Sequence, residues 1–190
     1  HYCFGQYAVY PGDNFDTHLK PFTEGAFNLK GKTGMCAAVM PYYTISYDQD
    51  PSGNNVANGF SKYIVTDLLR DKYGYDGVVC TDWGITGDND KVHLMNGKPW
   101  GVADLSVDER HFKVLLAGVD QFGGNNDKEP VIGAYNIWCE HFGKDSADER
   151  FRLSASRLLR NFFRVGVFEN PYVIPEETVK IVGCKEFVAE

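Results

Sequence analysis

Apolar positions along the chain fall into two rhythms, one at helical spacing and one in short continuous runs. After an aromatic opening loop, DNFDTHLKPFTEGAFNLK (13–30) sets Phe15, Leu19, Phe22 and Phe27 near helical spacing, with Asp13 as a possible cap and Pro21 near its first turns. Gly34 then introduces GMCAAVMPYY, whose uncharged run from Met35 to Met40 predicts a short buried strand. The next stretch, TISYDQDPSGNN, is rich in turn formers and predicts a solvent loop. NGFSKYIVTDLLRDKY (58–73) places Phe60, Tyr63, Ile64, Leu68 and Leu69 on one helical face, and Gly74 stops it.

The second half repeats the rhythm. Val78-Val79-Cys80 predicts a strand buried on both faces. A polar connection from Ile85 to Leu105 leads to Ser106 and Glu109, an S-x-x-E capping box for a helix through Leu116 that Gly118 ends. Val119 to Phe122 predicts a third strand, stopped by Gly123-Gly124. Val131, Ile132, Tyr135, Ile137 and Trp138 follow as a helix with Pro130 in its first turn. Ser146 and Glu149 form a second candidate capping box, before the apolar face Leu153, Leu158, Leu159, Phe162 and Phe163. FENPYVIPEET (168–178) predicts an interdomain linker, and TVKIVGCKEFVAE the short helical start of something further.

Helices alternating with short apolar strands predict an α/β fold with a parallel sheet, doubly wound or closed as a (β/α)8 barrel. Three strands are too few for either, and a barrel needs about 250 residues, so a barrel would be half present in 190 residues. No internal repeat is visible beyond this αβ rhythm.

Charge narrows the partners. The chain carries 19 basic and 26 acidic residues, a formal charge of -7, and no Lys/Arg block that could track phosphates or anionic lipid. Nucleic acid and membrane are therefore not expected partners. No run of 18 apolar residues occurs, and HYCFGQYAVYPG lacks the charged start and apolar centre of a signal peptide, although an opening on His1 is compatible with a lost leader. Cys3, Cys36, Cys80, Cys139 and Cys184 are scattered and odd in number, with no C-x-x-C pair, which argues against a zinc site or a disulfide framework. Cys36 and Cys80 read as small buried hydrophobes, and no metal or other cofactor is expected.

In parallel α/β folds ligands bind at the carboxyl ends of strands, which makes Tyr42-Tyr43, Asp82-Trp83 and Asp120-Gln121 the places to look. Pattern alone leaves Asp82 balanced between turn cap and site residue, and Tyr43 and Trp83 between core packing and a binding surface. Carboxylates with aromatic rings suit a sugar, whose hydroxyls and C–H faces they match.

The segment LLRDKYGYDGVVCTDW (68–83) resembles the nucleophile segment of glycoside hydrolase family 3, LLR-x-x-x-GF-x-G-x-V-x-SDW. VYPGDNFDTHLKPF, VMPYYTIS, AGVDQFGGNND and LLRNFFRVGVFENPYV resemble landmarks of its β-glucosidase-like branch, in the same order and across nearly the whole chain. The resemblance implies the carboxyl-terminal half of a (β/α)8 TIM-like barrel over 1–167, with a linker and the start of an absent second domain over 168–190. It implies Asp82 as the catalytic nucleophile of a retaining glycosidase, with Trp83, Tyr43 and Met40 binding substrate. Thr81 in place of the commoner serine, and Cys80 before it, leave that assignment intact.

The implied substrate is a β-glucoside or short β-linked oligosaccharide, a preference that Pro41 and Tyr42 support against long polymers. β-Xylosidase and β-N-acetylhexosaminidase activities, or a non-catalytic carbohydrate-binding relative, are the alternatives. The proton-donating glutamate is expected from the domain beyond Glu190, and a Lys-His pair, an Arg and an Asp of the sugar site from before His1. Asp16-Thr17-His18 resembles the Asp-x-His dyad of the N-acetylglucosaminidase branch but stands inside the first predicted helix, where His18 reads as a surface residue. The family habit favours the periplasm or the exterior without fixing the location.

Overall fold

A computed structural model describes residues 5–88 and 97–189. Cys3, His1, Glu190 and the middle of the predicted 85–105 connection lie outside the described residues. The chain divides into two compact units, residues 1–157 and 158–190.

The larger unit is a helix-rich α/β fold with, among the described residues, four short strands, β1 (Tyr7–Ala8), β2 (Ala38–Val39), β3 (Ile45–Ser46) and β4 (Val78–Val79). Parallel pairing joins β2 to β4, with Ala38 opposite Val78 and Val39 opposite Val79. Cys80 continues the series through a parallel bridge to Gln121. The expected third strand at 119–122 is therefore a single bridge. Each step in this series crosses over through a helix, as parallel neighbours require.

β3 corrects the expected solvent loop at 44–55. Ile45 and Ser46 pair in parallel with Tyr7 and Ala8, and Thr44, Ile45 and Ser46 are all buried. Two residues are too few to show alternation among Asp, Asn and Ser, and the pairing partner lies far back in the chain. The turn itself is tighter than expected, with Asp48 at φ 55° and Asp50 Oδ1 accepting the Ser52 N–H at 2.8 Å. β2 also departs from expectation, since Ala38 is exposed and Val39 only half-buried.

The first helix, α1 (Phe15–Lys20), continues through Pro21–Ala26 with π-type winding, and Phe27 N–H reaches back to Phe22 O at 2.8 Å. Proline supplies no N–H at the join, so the α-type ladder is already broken there. The expected Asp13 cap is not used: Asn14 occupies the cap position without a side-chain bond, and Asp13 has φ 57°. The 58–73 helix is a short 3₁₀ turn, Asn58–Phe60, followed by π-type winding over Tyr63–Lys72, where Tyr73 N–H meets Leu68 O at 3.1 Å.

Ser106 and Glu109 close both halves of their capping box in front of α2 (Val107–Ala117), and Gly118 ends it at φ 106°. α3 (Glu129–Phe142) has Pro130 in its first turn. α4 (Lys144–Arg164) begins before Ser146, so the second expected capping box does not form. Instead Ser146 Oγ accepts the Trp138 Nε1–H at 3.1 Å and ties α4 to α3.

Val79 and Val114 are fully buried in a core that also takes Tyr43, Phe60, Val65, Tyr75, Ile85 and Val119. Each such aliphatic or aromatic side chain contributes roughly 1.5–3 kcal/mol by leaving water. At the amino end of β4 the core meets a buried ionic hub. Asp120 accepts from Arg70 at 2.6 Å, Arg157 at 3.1 Å, Ser154 Oγ at 2.8 Å and the Val79 N–H at 3.0 Å. Arg150 lies 3.8 Å from the same carboxylate and donates to Leu115 O and Val119 O. Burial pulls the Arg70 and Arg150 guanidiniums below their ordinary range, opposed by Asp120.

The smaller unit holds the last turns of α4, then α5 (Pro175–Ile181) and α6 (Lys185–Val188). None of its described residues is buried, and its Phe163 and Phe168 rings pack 4.5 Å apart.

Candidate active site

β4 delivers Thr81 and Asp82 to its carboxyl end with little solvent exposure, 1% and 8%. The turn after it is stitched to the neighbouring loop. Thr81 N–H donates to Gln121 O at 2.8 Å, Gly123 N–H to Thr81 Oγ1 at 2.8 Å and Gly84 N–H to Gly123 O at 2.9 Å. A hydroxyl at position 81 therefore has a specific use.

Asp82 Oδ1 accepts the Trp83 N–H at 2.8 Å. That bond satisfies part of the turn-cap expectation, yet no helix starts here. Among the described residues Asp82 Oδ2 has no hydrogen-bond donor, and it is not one of the sealed unpartnered atoms. The carboxylate is thus fixed through one oxygen and has the other available. Its charge is felt next door: burial pushes the Cys80 thiol up, and Asp82 adds to the shift.

Tyr43, 4% exposed, donates its hydroxyl to the Trp83 carbonyl at 2.5 Å. Trp83 is held at both backbone groups, yet the residue is 54% exposed. The ring lies close against Gly123 and Gly124. A Cβ on Gly124 would meet the indole Cγ at 2.6 Å, and one on Gly123 would meet Cε3 at 3.1 Å. At Gly124 the indole occupies the space a side chain would take, whereas at Gly123 the Thr81 carbonyl oxygen, closer still to where a Cβ would stand, excludes it first.

The structure thus brings Asp82, Trp83 and Tyr43 together. Met40 is not drawn into that cluster by any described contact. It is 54% exposed and lines an apolar cavity of about 360 Å³ with Tyr10, Phe15, Phe22 and Leu68, a lining without Asp82, Tyr43 or Trp83. Asp120, a strand-end candidate in the sequence, is consumed by the arginine hub. His18 is exposed on α1, edge-on to Tyr10 at 5.2 Å. Cys36, Cys80, Cys139 and Cys184 are free thiols.

Beside the Trp83 turn runs a polar cleft of about 520 Å³, lined by Gly84, Thr86, Asp88, Asn125, Asp127 and Pro130 among others. Its Asp88 pairs with Arg110 at 2.8 Å, and Arg110 also donates to Thr86 O at 3.1 Å and Ala103 O at 3.0 Å. Sequence reasoning passed over Arg110, His111 and Asn125. The available signal was helical spacing, because Val107, His111 and Val114 form one stripe of α2 and place a histidine on a buried face.

No model of a protein family matches the chain. Curated relatives match it along almost its entire length. A probable β-glucosidase C of Aspergillus flavus is 38% identical over 191 residues, 99% of this chain and 28% of the relative. A periplasmic β-glucosidase/β-xylosidase of Dickeya chrysanthemi is 36% identical over 196 residues, 96% of this chain and 28% of the relative. The chain thus spans a little over a quarter of the curated relatives it matches.

Solved structures share the fold. A β-glucosidase from Erythrobacter marinus superposes with TM-score 0.60 at 23% identity, over 88% of this chain and 19% of that one. A glycoside hydrolase family 3 β-N-acetylglucosaminidase from Paenibacillus gives TM-score 0.58 at 22% identity, over 88% of this chain and 28% of that one. With 36–38% identity to the curated β-glucosidases along nearly all of its length and a family 3 enzyme among its structural neighbours, the chain is similar to a β-glucosidase-like fragment of glycoside hydrolase family 3.

Proposed function

We propose that this chain carries the nucleophile of a retaining β-glucosidase and forms the second half of its (β/α)8 barrel, with residues 168–190 leading into a further domain. The observation that carries the reading is Asp82, at the carboxyl end of β4 with one oxygen held by the Trp83 N–H, in a chain 38% identical to a protein named a probable β-glucosidase. The sugar would lie against the exposed part of Trp83, whose indole is backed by Gly123 and Gly124. Met40, which lines the separate apolar cavity, is given no part in it.

In this chemistry Asp82 attacks the anomeric carbon as the bond to the leaving oxygen breaks, and the leaving group takes a proton from a second carboxyl about 5 Å away. Water then attacks the glycosyl-enzyme, the same second carboxyl takes its proton, and Asp82 departs as carboxylate. The second carboxyl comes from sequence outside this chain, in keeping with a match to little more than a quarter of the relatives.

Incubating the full-length protein with an activated 2-deoxy-2-fluoro-β-glucoside should leave a covalent adduct on the peptide containing Asp82, read by mass spectrometry. Asp82→Asn should take no label and lose turnover by about 10³-fold or more. An unlabelled wild-type protein that still binds glucosides would favour a non-catalytic relative and overturn the reading. A β-xyloside preference is the second reading, favoured by the relative named β-glucosidase/β-xylosidase; relative kcat/KM on aryl glucosides, xylosides and N-acetylglucosaminides decides it.

A further inference from the structure

We infer that His111 is a positioning residue for the nucleophile turn, working as an uncharged hydrogen-bond acceptor that locks the two loops around Trp83 together. The inference rests on the assignment of Asp82 as nucleophile.

His111 is fully buried on α2, its ring tilted 40° against that of Phe122 with 4.4 Å between centroids. Its Nδ1 lies 2.8 Å from Val107 O, and a carbonyl oxygen can only accept, so Nδ1 carries the proton. Nε2 faces an amide nitrogen, which can only donate, so Nε2 holds the lone pair. Asn125 Nδ2 donates to it at 2.9 Å, and the Thr86 hydroxyl stands at 3.3 Å. Asn125 is oriented independently, because its Oδ1 accepts the Asp127 N–H at 3.0 Å. All the donors and acceptors agree on one tautomer.

The partners are placed where they matter for Asp82. Thr86 closes the turn that Asp82 and Trp83 open, and Asn125 directly follows the Gly123-Gly124 seat beneath the indole. One imidazole nitrogen therefore joins the turn bearing the nucleophile to the loop supporting its tryptophan. A proton on Nε2 would face the Asn125 amide donor, and turning that amide would break its bond to Asp127. The neutral ring is the only form that holds both loops. The charged groups around it are Asp108, Asp127 and Arg110, and burial outweighs them in pushing the imidazole below its ordinary range.

The test measures kcat, KM and the rate of 2-fluoroglucoside labelling of Asp82 in the full-length protein, for His111→Phe, His111→Gln, Asn125→Ala and the His111→Phe/Asn125→Ala double variant. All are compared well below their unfolding temperatures. Phenylalanine keeps the packing and removes the acceptor, whereas glutamine restores a side-chain oxygen towards Asn125. His111→Phe and Asn125→Ala should each slow labelling and kcat about 10–100-fold with KM within about threefold, the scale of a small misplacement of a reacting group. The double variant should be no slower than the singles, since they break one interaction. His111→Gln should recover to within about threefold of wild type. Should His111→Phe fail to fold, Asn125→Ala against wild type carries the test. Labelling of Asn125→Ala or folded His111→Phe at the wild-type rate, or a glutamine variant as slow as phenylalanine, overturns the inference. A wild-type protein that takes no label fails earlier, at the nucleophile assignment, and removes the basis of this one.

Discussion

The Tyr43 hydroxyl reaches the carbonyl of Trp83, at 2.5 Å, and thereby acts on Asp82 through the backbone of the next residue. Asp82 Oδ1 grips the N–H of that same residue at 2.8 Å. Tyr43→Phe would leave a partly buried carbonyl without this donor, a loss of about 1–3 kcal/mol. Denaturant unfolding should show that decrease, and labelling of Asp82 should slow about tenfold as the turn loosens. Unchanged stability together with unchanged labelling would mean that the tyrosine only fills space.

Trp83 depends equally on what lies beneath it. Gly124→Ala brings a methyl into the indole and places a Cβ at φ 64°. Overpacking costs about 1–3 kcal/mol and the left-handed backbone roughly 1–2 kcal/mol more. The ring must lift from its seat. Its emission, isolated by difference from a Trp83→Phe variant, should become more accessible to acrylamide, and glucoside KM should rise; an unaltered quenching constant would refute the cradle.

Some of this was legible in the sequence and some was not, for physical reasons. The capping box at Ser106 and Glu109 was readable because both partners lie within one turn and obey a local rule. Ser146 and Glu149 carry the same letters, but α3 and α4 are joined so closely that the helix starts earlier and Trp138 takes the serine. β3 escaped because parallel pairing with Tyr7 and Ala8 is not a local property of residues 44–55. At the site, the strand-end rule found Asp82, Trp83 and Tyr43, and it also offered Asp120. Only the fold shows that helices bring three arginines to Asp120 and leave Asp82 free of them. His111 went unremarked because its partners, Thr86 and Asn125, come from two separate loops.

Asp120 should prove the most sensitive position for stability. Its side chain is fully buried and answers Arg70 and Arg157 directly, with Arg150 close by. Asp120→Ala would leave buried guanidinium charge unanswered and free the Val79 N–H, a cost of about 3–5 kcal/mol. Asp120→Asn keeps the shape and one acceptor but removes the charge, and should fall between alanine and wild type. The readout is the urea midpoint of the full-length protein. An alanine variant within about 0.5 kcal/mol of wild type, as at an ordinary surface site, would show that the hub contributes little net stability.

Acid should weaken this fold in part through His111. Burial lowers its folded-state pKa, whereas in the unfolded chain it titrates at its ordinary value of 6.5. Between those two values the unfolded state binds the extra proton, so stability increases with pH across that window. The contribution is therefore intact above about pH 6.5 and declines as pH falls below it, levelling off beneath the folded-state pKa. The acceptor geometry gives the same sign, since Asn125 donates to a nitrogen that protonation would occupy. Unfolding free energy measured from pH 7.5 to 5 should fall more steeply for wild type than for His111→Gln, which cannot titrate. Parallel curves for the two proteins would show that the histidine accepts its proton in the folded state as readily as in the unfolded one, against the buried, neutral arrangement described.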